Sequence, residues 1–433
     1  MATGHRTNLR PRLRQRLSAD RMAVVEMNNS EDDLLLPSRF LNEKEESQVH
    51  TKKSKSWIFI TISVGVILIL ITSHQHYSSA RKPLSNNSAN ILRTKLKHTK
   101  SPGNLRSIIR PGSIFLDTDG NPINAHGGGF LFHNDVYYWY GEIKIGDTYT
   151  PPANADWGGS RVDMTGISCY SSKDLIDWKY RGNVLPAVTD DPSHDLYVKN
   201  VAERPKVVYN SHTNKFVMWL HIDSMDYKRA RSGVAESDNP EGPFTYIESF
   251  RPNDQMARDL TVFVNEKTIV AYLITSSEDN AVMHINELTS NYTSFTGRWK
   301  RMFENRYMEA PTIFKRGDKY YFIGSGCTAW KPNAARSAVS KNIWGPWTEL
   351  GNPAIGEDAD TTFHSQSTFV LPIQGQEGFM FAADRWNEKN LTDSRYVWLP
   401  IDFEPVDVGV DGGVIERPII RFLTSWNISN TWT

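Results

Sequence analysis

APTIFKRGDKYYFIGSG, from Ala310 to Gly326, reads as an apolar strand, a charged turn and a second strand heavy in Tyr, Phe and Ile. That is a β-hairpin signature. Four other stretches repeat it: GGGFLFHNDVYYWYGE from Gly127, RPKVVYNSHTNKFVMWLHID from Arg204, LTVFVNEKTIVAYLITSS from Leu260 and STFVLPIQGQEGFMFAADR from Ser367. Their starts lie roughly 50 to 80 residues apart, longer than WD40 units and close to kelch-sized ones. A second signature closes the first four units: SSKDLIDWKYRGNVL from Ser171, SDNPEGPFTYIESF from Ser237, LTSNYTSFTGRWKRMF from Leu288 and SKNIWGPWTELGNPA from Ser340. Each joins Ser or Asn, a turn and an aromatic with alternating polar residues, as the outer hairpin of a four-stranded blade would. Five blades make an all-β propeller. A β-helix or a sandwich is the competing architecture; sustained helical periodicity is missing after residue 73, which argues against α/β folds.

Directly before the first strand of four units stand Glu203, Asp259, Glu309 and Gln366. In a propeller the innermost strands line a central channel, so these side chains would gather at one mouth. The chain has 433 residues and no net formal charge, which removes the bulk-electrostatic argument for a nucleic-acid partner. Its abundant Trp and Tyr suit an all-β domain that also stacks sugars.

The N-terminal quarter differs in kind. WIFITISVGVILILITS, Trp57 to Ser73, carries no charge and is just long enough to span a bilayer as a helix, for which about 17 residues is the lower limit. The hydrophilic leader before it argues for an uncleaved signal anchor. Lys52, Lys53 and Lys55 then keep the N-terminus cytosolic. The expected order is a disordered cytosolic tail over 1–56, an anchor over 57–73, a polar stem over 74–106 and the propeller over 107–433. A short span fits the early secretory pathway. The sequons at Asn86, Asn291, Asn390 and Asn427 would then face the lumen. Cys169 and Cys327, the only cysteines, either pair across blades or stay as buried thiols; two make no metal cluster.

AERPKVVYN around Glu203, ARDLTVF around Asp259, MEAPTIFK around Glu309 and HSQSTFV around Gln366 together resemble glycoside hydrolase family 43, in its exo-β-1,3-galactanase/galactosidase branch. With the anchor added, the chain resembles the plant Golgi members of that branch. The resemblance spans Ser107 to the C-terminus. It implies a five-bladed propeller and inversion at the anomeric carbon, with two groups about 6.5–9.5 Å apart on opposite faces of the sugar. It makes Glu309 the general acid, Asp259 its pKa modulator and Gln366 the group that positions water. A neutral amide is a poor proton acceptor, so Glu203 is the rival base and otherwise holds sugar hydroxyls. Most members carry a first-blade aspartate, where this chain has Asn124-Ala125-His126-Gly127-Gly128. Glu142 matches a substrate-binding glutamate of the branch, and Tyr227 and Trp330 are candidates to stack on or bond the terminal sugar. His364 faces the channel or is a satisfied structural histidine. No cofactor is required, though calcium is conceivable.

The expected activity is exo-β-1,3-galactosidase action on galactan chains of arabinogalactan proteins in the Golgi lumen. The loop from Ile145 to Arg161 would close the mouth around one terminal sugar. Within the family, a β-xylosidase or α-L-arabinofuranosidase is the alternative. Outside it stand a non-catalytic carbohydrate-binding propeller and a Golgi glycosyltransferase, for which Glu357–Asp360 supplies a DxD triplet.

Overall fold

The computed structural model describes residues 107–150, 159–407 and 414–432. The tail, anchor, stem, Asn86 and the middle of the Ile145–Arg161 loop lie outside the described residues. Among the described residues no helix is long and apolar enough to cross a membrane. A two-residue strand, β1 (Ile108–Ile109), precedes the first blade.

Each unit is an antiparallel meander. Blade one is β2 (His126–His133), β3 (Val136–Glu142), β4 (Gly166–Ser172) and β5 (Lys179–Pro186). Blade two is β6 (Val201–Asn210), β7 (Lys215–Asp223), β8 (Arg231–Ser237) and β9 (Thr245–Phe250). Blade three is β10 (Leu260–Asn265), β11 (Val270–Ser277), β12 (Val282–Leu288) and β13 (Phe295–Met302). Blade four is β14 (Met308–Arg316), β15 (Lys319–Gly326), β16 (Arg336–Ser340) and β17 (Thr348–Gly351). Blade five departs from the pattern: β19 (Gln366–Pro372), β20 (Phe379–Arg385), β21 (Arg395–Asp407) and β22 (Val414–Arg421) gain a parallel fifth strand, β18 (Ala354–Ile355), on β22. The five-bladed all-β propeller is thus the fold.

The innermost strands neighbour one another in a closed cycle, β2 to β6, β10, β14, β19 and back to β2. Second strands are buried on both faces, which explains runs such as FVMWL and YYFIG; outer strands such as β13 are mostly exposed and read as polar. An apolar wedge fills each blade-to-blade gap. The gap between blades five and one holds Phe130, Trp139, Trp178, Tyr396 and Trp398. Its ends are tied by β23 (Trp426–Asn427) pairing with β1. Cys169 and Cys327 are free thiols.

Candidate active site

Four innermost strands change register near the channel mouth, β19 at Ser367/Phe369 and the other three at a left-handed residue. β-bulges fall at His126/Gly129 in β2, Glu203/Lys206 in β6 and Glu309/Thr312 in β14. Each holds one residue in the left-handed region: Gly127 at φ 59°, Arg204 at 55° and Ala310 at 53°. Pro205 and Pro311, with fixed φ, follow the last two. The bulges re-aim the preceding side chains. As a result Glu203 and Glu309 lie inside their strands; Gln366 opens β19 and Asp259 stands one residue before β10.

Glu309, Asp259, Gln366, Glu203, Tyr227 and Trp330 all line one cavity of 460 Å³. Glu309 is half-buried, and desolvation together with the Asp259 charge raises its pKa to about 7 against the pull of Arg204 and Arg258. Asn280 Nδ2 donates to Glu309 Oε1 at 2.8 Å, which leaves Oε2 to carry the proton. The Cys327 thiol lies beside it; burial and the charges of Glu309 and Asp259 push that thiol to about 12, so it stays protonated.

Arg204 is the hub. Its guanidinium donates to Asp259 Oδ2 at 2.9 Å, to Gln366 Oε1 at 2.6 Å and to the Ser367 carbonyl at 3.2 Å. Asp259 Oδ2 also accepts from the Ala310 amide at 3.0 Å, tying the modulator to the bulge that carries Glu309. Gln366 Oε1 takes a second bond from Trp386 Nε1 at 3.1 Å, and its Nε2 donates to Ser325 Oγ at 3.1 Å. Two donors on one amide oxygen fix the flip and oppose an O–H tautomer. One N–H of the amide is left for a water.

Glu203 is ringed by donors. Tyr227 OH donates to Oε1 at 2.9 Å, Lys144 Nζ approaches at 3.3 Å and His221 Nδ1 at 3.6 Å. Burial alone would raise its pKa, but Lys144, His221 and Tyr227 outweigh that and hold it well below the usual carboxylate range. Burial also opposes the charged form of His221, yet Asp223 and Glu203 lift its pKa to about 9.

Glu142 is placed differently from the sequence expectation. It sits behind the cavity wall, accepting from the Arg204 amide at 3.2 Å and pairing with Lys144 at 2.7 Å. Its carboxylate therefore supports Arg204 and Lys144. His364 is half exposed and faces Asp358 at 3.2 Å, so Asp358 of the DxD triplet pairs internally. The position that lacks a first-blade carboxylate is served by blade five: Asp384 holds His126 Nδ1 at 2.9 Å and the Gly127 amide at 2.7 Å.

Glu203, His221 and Asp259 offer ligand atoms within 4.8 Å of one another. They do not suit calcium, which wants oxygen ligands. The imidazole is held protonated, and Lys144 and Arg204 already neutralise the two carboxylates.

Arg204, Lys144, His221, Asn280 and Asp384 had no role in the sequence reading. Arg204 stands inside the quoted ERPKV and Asp384 inside FAADR, where a charge ending an apolar strand is the available signal. Their partners come from other blades.

Residues 143–381 match the family described as Glycosyl hydrolases family 43. A family 43 β-1,3-galactosidase solved with galactodeoxynojirimycin is 39% identical, with 74% of this chain and 100% of that chain covered and a TM-score of 0.65. The exo-β-1,3-galactanase of Phanerochaete chrysosporium, solved as a variant with β-1,3-galactotriose, is 31% identical over 74% of this chain and 68% of that one, with a TM-score of 0.64. The exo-β-1,3-galactanase of Clostridium thermocellum is 38% identical over 74% and 66%, with a TM-score of 0.62. A curated xylan 1,3-β-xylosidase from a Vibrio species is 22% identical over 227 residues, 47% of this chain and 39% of that protein's length. The chain is a glycoside hydrolase; it belongs to glycosyl hydrolases family 43, in the exo-β-1,3-galactanase/galactosidase branch.

Proposed function

We propose that this protein is an inverting exo-β-1,3-galactosidase that removes terminal galactose from β-1,3-galactan. The carrying observation is that Glu309, its pKa raised to about 7, shares one cavity with an amide, Gln366, whose oxygen is pinned and whose nitrogen keeps a free hydrogen. Glu309 Oε2 gives its proton to the departing glycosidic oxygen. Asp259 keeps that proton available at neutral pH. Gln366 orients the attacking water through its free N–H; the proton that this water sheds on bonding to the anomeric carbon passes to solvent in the open cavity, from which Glu309 is reprotonated. Glu203, strongly ionised and already bonded to Tyr227, is a weak base and a good acceptor for sugar hydroxyls. Trp330 lines the cavity as a stacking ring for the sugar, set T-shaped to Trp386 at 5.1 Å.

The test is digestion of a panel of β-1,3-, β-1,4- and β-1,6-linked galactobioses and longer galactans, with the anomer followed by proton NMR. α-Galactose appearing first, from β-1,3 ends alone, is expected. Cleavage confined to xylosides or arabinofuranosides, or β-galactose appearing first, would replace the reading.

We also place the chain in the Golgi membrane as a single-pass type II protein acting on arabinogalactan proteins. The support is the uncharged 57–73 segment behind a lysine flank and a galactan-directed branch. Asn291 and Asn390 are exposed, whereas Asn427 donates its Nδ2 to Ser107 Oγ at 2.8 Å. Glycan removal should therefore shift the protein's mass through Asn291, Asn390 and the stem sequon at Asn86, not through Asn427. Carbonate-extractable protein, or sequons accessible to cytosolic protease, would refute this topology.

A further inference from the structure

Lys206 stands two residues past Arg204 on β6, outside the lining of the cavity, and is 1% exposed. Among the described residues no carboxylate is within ion-pair distance of it. Its Nζ instead donates to three backbone carbonyls: Gly127 at 2.9 Å, Arg204 at 3.3 Å and Pro205 at 3.4 Å. Gly127 and Arg204 are the left-handed residues of the two bulges. Their amides are already held by Asp384 and Glu142. Both residues are thus gripped by a carboxylate at the N–H and by one shared ammonium at the carbonyl. Gly129 makes room for the lysine stem, since a Cβ there would lie 2.6 Å from Lys206 Cδ.

We propose that Lys206 is a positioning residue for hydrolysis: its ammonium locks the Gly127 and Arg204 bulges, so fixing how Arg204 presents Asp259 and Gln366, and loss of its proton loosens them. Such a role presupposes Glu309 as acid and Gln366 as water holder. The charged groups around Lys206 are Arg204 on its own strand, Glu142 on β3, Asp259 before β10 and Asp384 on β20. Burial and the Arg204 charge lower its pKa to about 7, against the pull of the three carboxylates. Below that pH the ammonium has three hydrogens for three carbonyls. Above it the amine has two, and no charge.

Two groups then titrate on the alkaline side. Glu309 must keep its proton to act as acid, and Lys206 must keep its own to hold the bulges. The experiment compares pH profiles of kcat/KM for the full chain and for Lys206→Met, on β-1,3-galactobiose and on an aryl β-galactoside whose activated phenol needs no acid. The wild type should lose two protons on the disaccharide limb and one on the aryl limb. Lys206→Met should lose one and none, with kcat at acidic pH lower on the order of 100-fold and KM little changed. A wild-type aryl profile flat through neutral pH, or a variant within about threefold of wild-type kcat, overturns the proposal. If the variant fails to fold, the two wild-type profiles decide alone. If galactobiose is not cleaved but the aryl galactoside is, the galactan reading fails while the aryl limb still judges Lys206.

Discussion

Burial and the Asp259 charge keep the proton on Glu309 up to about pH 7, where an ordinary glutamate has lost it near 4.5. The folded-state pKa lies above the unfolded one, so the linked stability is full below the unfolded value and is lost as pH rises through 7. Over that interval the ionised form costs about 3 kcal/mol, at 1.36 kcal/mol per tenfold change in proton affinity. Glu309→Gln, a neutral isostere, should therefore match wild type in thermal melts near pH 4 and exceed it near pH 8 by about that amount. An equal gap at both pH values would mean that Glu309 is not held protonated. The same variant should lose about 10²–10⁴-fold in kcat on galactobiose, the usual worth of a general acid. The neighbouring carboxylate predicts differently. Glu203 is already ionised and wrapped by Lys144, Tyr227 and His221, so Glu203→Gln should raise KM more than it lowers kcat. Gln366→Ala should lower kcat with a smaller change in KM, because an oriented water matters only to the reaction step. Reversal of that split would make Glu203 the base.

At the scale of the strand, the bulge is what turns a blade into part of a site. Gly127, at φ 59°, has no room for a Cβ: one would stand 2.2 Å from Glu142 Oε1, the atom that accepts the Arg204 amide. Gly127→Ala would combine left-handed strain of about 1–2 kcal/mol with displacement of Glu142. A melting temperature lowered by several degrees, with kcat reduced through Arg204, is expected; unchanged melting would show that the bulge yields freely. These strands also divide what sequence could reveal from what it could not. Alternation, turn residues and repeat length gave the hairpins, and with them the alignment of Glu203, Asp259, Glu309 and Gln366 on one rim. Such features are local to each blade. Arg204 looked like one residue of a motif, since Ala310 fills the matching place in blade four and no repeat called for a guanidinium. Its meaning lies in Asp259 and Gln366, which are brought to it by other blades. Glu142 shows the same limit: its place at the end of β3 was legible, but not the bonds from Lys144 and the Arg204 amide that hold its carboxylate.

At the scale of the ring, the two ends of the described domain meet outside the blades. Every blade is built from consecutive strands, so no blade mixes the two ends of the described domain. The join between blades five and one rests on the Trp139–Trp398 wedge, with rings 4.7 Å apart, and on a small two-stranded tie in which Ile108 pairs with Asn427 and Ile109 with Trp426. Trp426 Nε1 donates to the Trp398 carbonyl at 2.8 Å, and Trp432 packs flush on Gly378 of blade five. None of residues 424–432 lines the cavity. Ending the chain after Leu423 should therefore separate closure from chemistry. It removes the buried Trp426 and Ile428, each worth about 1.5–3 kcal/mol of apolar burial, and bares the edge of the wedge. The truncated protein should melt roughly 10 °C or more below the full chain, at the usual 2–4 °C per kcal/mol for large domains. At a temperature where it remains folded, its kcat on galactobiose should stay within a few-fold of wild type, since Arg204, Asp259, Glu309 and Gln366 are held by the inner strands. Loss of kcat without loss of melting temperature would mean instead that the tie reaches the site, and that ring closure and catalysis are one device.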